Sequence, residues 1–211
     1  MKTLPFLASL VLCPCALLAE EIVEEKEGLI RIEAESTRSP LGNWKKKTTL
    51  AGYEGDAYLE FTGNTPTNGP ADSPLRYRFR TGKGGLYFLH LRCARERVGE
   101  RNDLANDAYV RLEGDFEAGP DPGDTHGDDA PLLMLKKDTK FFGGDHLRFV
   151  WASGNRLDPG GHNNKRVAVY RLEAGKEYAL VVSGRSQLFK LDQILFRHDS
   201  VSKESAERTS P

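Results

Sequence analysis

Nine short runs of β type, each closed off by Gly, Pro, Asn or Asp, are what most restricts the folds open to this chain. They read "LIRIEAE", "AYLEFTG", "LRYRFR", "LYFLHLRC", "DAYVRLE", "HLRFVWAS", "VAVYRLEAG", "EYALVVSG" and "FKLDQILF". Helical periodicity is nearly absent between them. Short runs at this spacing, separated by turn residues, predict an all-β sandwich or jelly roll. Tyr87, Leu89, Leu91 and Cys93 alternate with Phe88, His90 and Arg92, and Tyr77 and Phe79 alternate with Arg76, Arg78 and Arg80. Successive side chains of a strand point to opposite faces, so one face of each run is predicted to lie on the core.

The two ends read differently. "MKTLPFLASLVLCPCALLA" has an early Lys, an apolar run too short to span a bilayer comfortably, and a small residue at Ala19. Residues 1–19 are therefore expected to be a signal peptide and the protein secreted, to the periplasm or the medium. Residues 20–27 form an acidic lead-in expected to be mobile, 28–198 the sandwich domain, and 199–211 a polar tail expected to be disordered. Loss of the signal would leave Cys93 without an intrachain partner, which excludes a disulfide framework and suggests a small buried hydrophobe. The 30 Lys and Arg balance 31 Asp and Glu, so no basic excess points to nucleic acid, and no later run is apolar enough for membrane insertion.

Several acids ask for an explanation. Glu33 and Glu35 stand two apart in "IEAES", and Asp192 sits inside an apolar last strand. On a buried face such carboxylates need compensation, by a cation such as calcium or by a salt bridge; a solvated strand face needs neither. "RNDLANDAYVRL" carries two Asn-Asp pairs, Asn102-Asp103 and Asn106-Asp107, with Arg92, Arg95, Arg97 and Arg101 before them. That pattern suits a turn, an Arg–Asp network, or polar contacts to a sugar. Trp44 lies in the polar stretch "GNWKKKT", where it is hard to explain as core, and Trp151 ends a strand before "ASGNRLDPGGHNNKR". Glu113, Asp115 and Glu117 have the spacing of a paired-acid glycosidase, yet Gly114 and "AGPDPG" mark a strand end rather than a groove floor. Asp121, Asp124, Asp128 and Asp129 form an acidic loop, a candidate for a second calcium, whose spacing matches no EF-hand.

The ordered set "IEAES", "GYEGDAYLEF", "GGLYFLHLR" and "YRLEAGKEYALVVSGRSQLFKLDQILF" resembles family 6 and family 35 carbohydrate-binding modules. "RNDLANDAYVRL" with "SGRSQLFKLDQI" looks more specifically like the related agarase carbohydrate-binding-like domains. The resemblance covers residues 28 to 198. It implies a galactose-binding-like β-sandwich, a non-catalytic role, a polysaccharide or oligosaccharide partner, and a structural calcium held by Glu33, Glu35 and Asp192. Family 6 modules often place a ligand-contacting Asn two residues before that Asp; this chain has Lys190 there. The sugar site is expected at a loop edge or shallow face built from Asn106, Asp107, Trp151, Arg185 and Lys190, with Trp44 as an outside contributor. The rival expectations are a sandwich that serves structure or protein interaction without a sugar site, and a small glycan hydrolase or lyase.

Overall fold

A computed structural model describes residues 21–101, 103–120, 131–160 and 165–208. The expected signal peptide and the acidic loop with Asp121, Asp124, Asp128 and Asp129 lie outside these residues, as does Asn102.

The described chain is a sandwich of two sheets, as the turn-punctuated runs predict. Its strands are β1 (Ile22–Glu24), β2 (Leu29–Glu33), β3 (Trp44–Lys47), β4 (Tyr58–Phe61), β5 (Asp72–Arg80), β6 (Gly85–Arg95), β7 (Asp107–Glu113) and β8 (Glu117–Ala118). They continue as β9 (Thr139–Phe142), β10 (Asp145–His146), β11 (Val150–Ala152), β12 (Asn155–Asp158), β13 (Arg166–Val167), β14 (Val169–Leu172), β15 (Glu177–Gly184) and β16 (Phe189–His198). A seven-stranded sheet runs β1-β5-β15-β7-β9-β12-β13. The nine-stranded sheet runs β3-β4-β16-β6-β14-β8, with β2 on β16 and with β10 and β11 on β6. Each of the nine sequence runs overlaps at least one of these strands.

The alternation places the core where expected. Tyr77 and Phe79 of β5 and Tyr87, Leu89, Leu91 and Cys93 of β6 are all buried in one cluster between the sheets. Phe79 of one sheet meets Phe196 of the other at 4.5 Å between ring centroids. Full burial of a side chain of this size is worth about 1.5–3 kcal/mol, so this cross-sheet layer is a main source of cohesion. Burial also pushes the Cys93 thiol up to about 12, which leaves it an inert core side chain.

Both ends depart from expectation. The lead-in pairs: β1 lies parallel to β5, with Val23 opposite Phe79. Glu25 follows it and accepts hydrogen bonds from Tyr87 Oη (2.5 Å), Gly82 N (2.7 Å), Lys83 N (2.9 Å) and Gly28 N (3.1 Å). One carboxylate with four donors anchors a stretch that composition alone marks as solvated. At the other end, a short helix α1 (Lys203–Ala206) is capped by Ser202 and buries Ala206. The Arg31 guanidinium donates to the Ala206 and Arg208 carbonyls, and the Arg197 guanidinium donates to the Val201 carbonyl at 2.7 Å. Glu207 accepts from Ser153 Oγ and pairs with His90 Nδ1, each at 2.8 Å. Residues 199–208 are thus docked on the sandwich rather than loose.

Trp44 also departs from expectation. It is fully buried on β3, 5.1 Å from the Phe61 ring, and its Nε1–H donates to the Ser73 carbonyl at 2.9 Å. Lys45 and Lys46, which follow it on this edge strand, are exposed. An indole is tolerated in a core when its N–H finds a partner, so Trp44 is structural and not an outer sugar contact.

Candidate functional site

The five expected sugar-site residues do not meet at one place. Asn106, Asp107 and Arg185 line a groove on the outer face of the seven-stranded sheet. Trp151 and Lys190 belong to β11 and β16 of the nine-stranded sheet.

The groove comes from strand register. Tyr109 of β7 lies opposite Lys140 of β9, which lies opposite Asp158 of β12, so these three side chains form one row across three strands. Asp107 and Phe142 make the neighbouring pair. The core-facing partners in the same strands are Ala108, Val110, Phe141 and Leu157. Two adjoining cavities of about 490 and 290 Å³ share Lys140 and Asp158, and Lys137, Asp138 and Pro159 flank one of them, Asp103 and Lys165 the other. Space of this size is typical of a small-ligand site.

The polar groups along the groove are fixed by one another. Arg185 donates to Asp107 and to the Thr67 carbonyl, and lies over the Tyr109 ring with Cζ 5.9 Å from its centroid. Burial raises the Asp107 carboxyl above its ordinary range, and the nearby Arg185 and Lys140 charges offset this only in part. Burial would raise Asp158 too, but the Lys140 ammonium at 2.5 Å and the Gly160 amide hold it below the ordinary range. Lys165 and Arg156 lie 4.8 and 5.3 Å from the Phe142 ring centroid. The lining carries Lys137, Lys140, Lys165 and Arg185 against Asp103, Asp107, Asp138 and Asp158. Balanced charge with many oriented donors and acceptors favours a neutral, hydroxyl-rich ligand over an ion.

Lys190 is excluded from such a role. It is almost fully buried, with its ammonium 2.9 Å from Glu96 and 3.2 Å from Glu60. Two carboxylates neutralise a charge that could not otherwise be buried. Trp151 is half-buried; Arg31 lies over its ring with Cζ 5.7 Å from the centroid, and its Nε1 is buried without a partner among the described residues. Tyr109, Lys140, Phe142 and Asp158 are groove residues that sequence reasoning missed. The available signal was the alternation of Lys140 and Phe142 in "TKFF", which is only four residues long.

The acidic set lies around the start of the last-strand pairing. Glu33 ends β2 opposite Gln193 of β16. Glu35 is not on the strand; it lies in a 3₁₀ turn at Ala34–Ser36. The turn still brings the two carboxylates to Gly55, where an added Cβ would stand 2.5 Å from Glu35 Oε1 and 3.0 Å from Glu33 Oε2. Glu35 Oε1 accepts from Asp56 N at 2.8 Å, and Gln193 Nε2 donates to Glu33 Oε1 at 2.6 Å. Glu33 Oε2, Glu35 Oε2 and Gln193 Oε1 are buried with no partner among the described residues. Burial, then the nearby Glu35, Asp192 and Glu54 charges, raise the Glu33 carboxyl, while the Gln193 hydrogen bond lowers it. Asp192 occupies the bulge where the β16–β6 register shifts. It is fully buried, bound by Arg92 and by Glu54 N at 3.1 Å, and burial pushes its carboxyl up to about 6 despite Arg92. Among the described residues no three His, Cys, Asp or Glu side chains converge as a metal cluster. The oxygen-only set of two carboxylates and one amide fits a hard cation such as calcium, with Asp192 directed to Arg92 instead.

The paired acids of a glycosidase do not assemble. Glu113 ends β7 in one sheet, bound to Arg76 at 3.0 Å and Arg111 at 3.3 Å, while Glu117 is on β8 in the other.

No family model matches the chain, and no curated protein matches it. Solved structures are similar to it in fold. The Podospora anserina GH26-CBM35 β-(1,4)-mannanase aligns at a TM-score of 0.50 and 14% identity, over 84% of this chain and 29% of that one. A family 35 carbohydrate binding module from Clostridium thermocellum aligns at 0.47 and 15% identity, over 80% of this chain and 96% of that one. CBM35 from Paenibacillus barcinonensis aligns at 0.45 and 13% identity, over 80% and 98%. This chain therefore spans less than a third of the mannanase's length, and the likeness is one of fold.

Proposed function

We propose that this protein binds carbohydrate without catalysis, through the groove on the outer face of its seven-stranded sheet, and is exported by its first 19 residues. The observation that carries the reading is the row Tyr109–Lys140–Asp158 beside the Arg185–Asp107 pair. It sets planar and charged hydrogen-bonding groups at fixed positions along an elongated groove whose lining charges balance. A chain of sugar hydroxyls matches such a surface. The mannanase with a similar fold carries a CBM35 part, which agrees with this reading. Because cations already lie over the Tyr109 and Phe142 rings, little bare stacking surface is left, and affinity should be modest, on the order of micromolar to millimolar. A glycan array on purified protein tests it: a set of neutral poly- or oligosaccharides should bind, and Tyr109→Ala should weaken them. An array with no hits would end the carbohydrate reading.

The same proposal includes one structural calcium at Glu33 and Glu35, with Gln193 Oε1 as a further oxygen. Support comes from the three buried, unpartnered oxygens. When bound, the ion would neutralise the two carboxylates and tie β2 to the last strand. Gln193 orients Glu33, the Asp56 amide orients Glu35, and Gly55 leaves the space between them open.

A further inference from the structure

The C-terminal residues 202–208 lie against the outer face of the nine-stranded sheet. Arg31 of β2, Leu195 of β16 and His90 of β6 form one row there, and Trp151 and Ser153 stand beside it, on β11 and just after it. Leu195 has no exposed surface although it is not part of the core between the sheets, so the row is covered from outside.

The contacts are polar and specific. Ser153 Oγ donates to Glu207 Oε1, and His90 Nδ1 meets the same oxygen. Arg197 Nε donates to His90 Nε2 at 3.4 Å, so the imidazole offers its Nδ1–H to the carboxylate. Arg31 donates to the Ala206 and Arg208 carbonyls, on either side of Glu207. The face thus reads a carboxylate, the backbone carbonyls before and after it, and, at the fully buried Ala206, a side chain of methyl size.

The hold is light all the same. Ala206 is the one fully buried residue of the segment; Glu207 is half-buried and the others are exposed. A stretch with a single buried methyl and otherwise polar contacts belongs to the least stable part of a fold and opens locally. Opening would strip His90, whose side chain is 2% exposed, of its carboxylate. The Trp151 ring lies under the Arg31 guanidinium, and its Nε1 is buried without a partner among the described residues even with the segment in place. The face therefore has a donor that its own tail does not satisfy.

We propose that this face is a docking surface for an acidic peptide segment of another protein, a small residue followed by Glu at the end of a helical turn, and that residues 202–208 occupy it as an internal stand-in until such a segment displaces them. A peptide fits better than an acidic sugar, because Arg31 reads two backbone carbonyls as well as the face reading one carboxylate. A separate partner fits better than a second copy. The Asp199 amide is bonded to the Leu86 carbonyl, and those of Ser200 and Val201 to His198, which keeps a lifted tail beside its own face. The surface is on the other sheet from the carbohydrate groove and independent of it.

Two measurements on the full chain test it. In wild type, the Ala206 and Glu207 amides, bonded to the Ser202 and Lys203 carbonyls, should exchange with solvent roughly a hundredfold faster than the amides of β16. A fluorescently labelled peptide of residues 202–208 should then bind the Glu207→Gln chain saturably, with a dissociation constant on the order of micromolar to millimolar by anisotropy. It should bind wild type roughly tenfold more weakly, because the tethered tail competes. The peptide carrying Glu207→Gln should also bind roughly tenfold more weakly, through loss of the charge-assisted contact. Tail amides that exchange only as slowly as β16, no saturable binding, or equal binding of the two peptides would overturn the proposal. So would displacement of the peptide by sodium glucuronate as readily as by unlabelled peptide, which would make the ligand a sugar acid, or wild-type dimers that grow with concentration and vanish in Glu207→Gln, which would make the occupant a second copy.

Discussion

Arg92 and Asp192 face one another on adjacent strands, with the Arg92 Nη1 donating to an Asp192 carboxylate that has no exposed surface. Arg92 Nη2 also donates to the Gly52 carbonyl at 2.8 Å, which fixes the loop that covers the pair. A buried ion pair is costly to break from one side. Arg92→Met should therefore destabilise by about 3–5 kcal/mol, because it leaves Asp192 buried and unpaired. Removing both charges in Arg92→Met/Asp192→Leu should cost clearly less. Urea denaturation of the single and double variants checks this; equal losses would contradict it.

The His90–Glu207 contact predicts a pH dependence. Burial pushes the His90 imidazole down to about 4, against the pull of Glu207 and with the Arg197 and Lys203 charges adding to the shift. Its folded value lies below its unfolded one, so the unfolded chain takes up the proton first as pH falls. The contribution is whole above about pH 6.5 and is lost progressively towards pH 4, by an amount on the order of a few kcal/mol. His90→Gln should flatten this part of the stability curve. A wild-type stability that does not fall across that window would refute the assignment.

Calcium binding should appear as a chelator-sensitive melting temperature, since a ligand of the folded state stabilises by about 2.7 kcal/mol at a hundredfold excess over its dissociation constant. Glu35→Gln should reduce the response. Gly55→Ala should abolish it, because the added methyl would lie 2.5 Å from Glu35 Oε1. A response that survives Glu35→Gln would remove the two-carboxylate site.

Trp44 separates the core reading from the surface one. Trp44→Ala should cost about 3–5 kcal/mol through the cavity left beside Phe61, and should leave glycan binding unchanged in whatever protein stays folded. Thermal denaturation reads the first effect and array binding the second.

The fold was legible because alternation and turn residues are local signals: Leu89, Leu91 and Cys93 declare their face within five residues. The site was legible only where its chemistry is local as well. Asp107 and Arg185 are both marked by their segments, and the structure brings them together. Lys140 and Asp158 were not, because their meeting depends on the order β7-β9-β12, which sequence spacing does not reveal. Lys190 and Trp44 were misjudged for a shared reason. Each is exposed by residue type or by sequence neighbours, and each is buried by partners distant in the chain, Glu60 and Glu96 for one and Ser73 for the other. Glu35 reached its expected neighbour by an unexpected route, through a 3₁₀ turn instead of strand alternation.

The central claim is that the groove of the seven-stranded sheet takes the glycan. An amide NMR titration of the full chain with the best array ligand tests it most directly. The account predicts saturable shifts concentrated at Asp107, Tyr109, Lys140, Phe142 and Asp158, and weakened binding in Asp158→Ala. Shifts gathered instead around Trp151 and Arg92 on the nine-stranded sheet, with the groove silent, would contradict it.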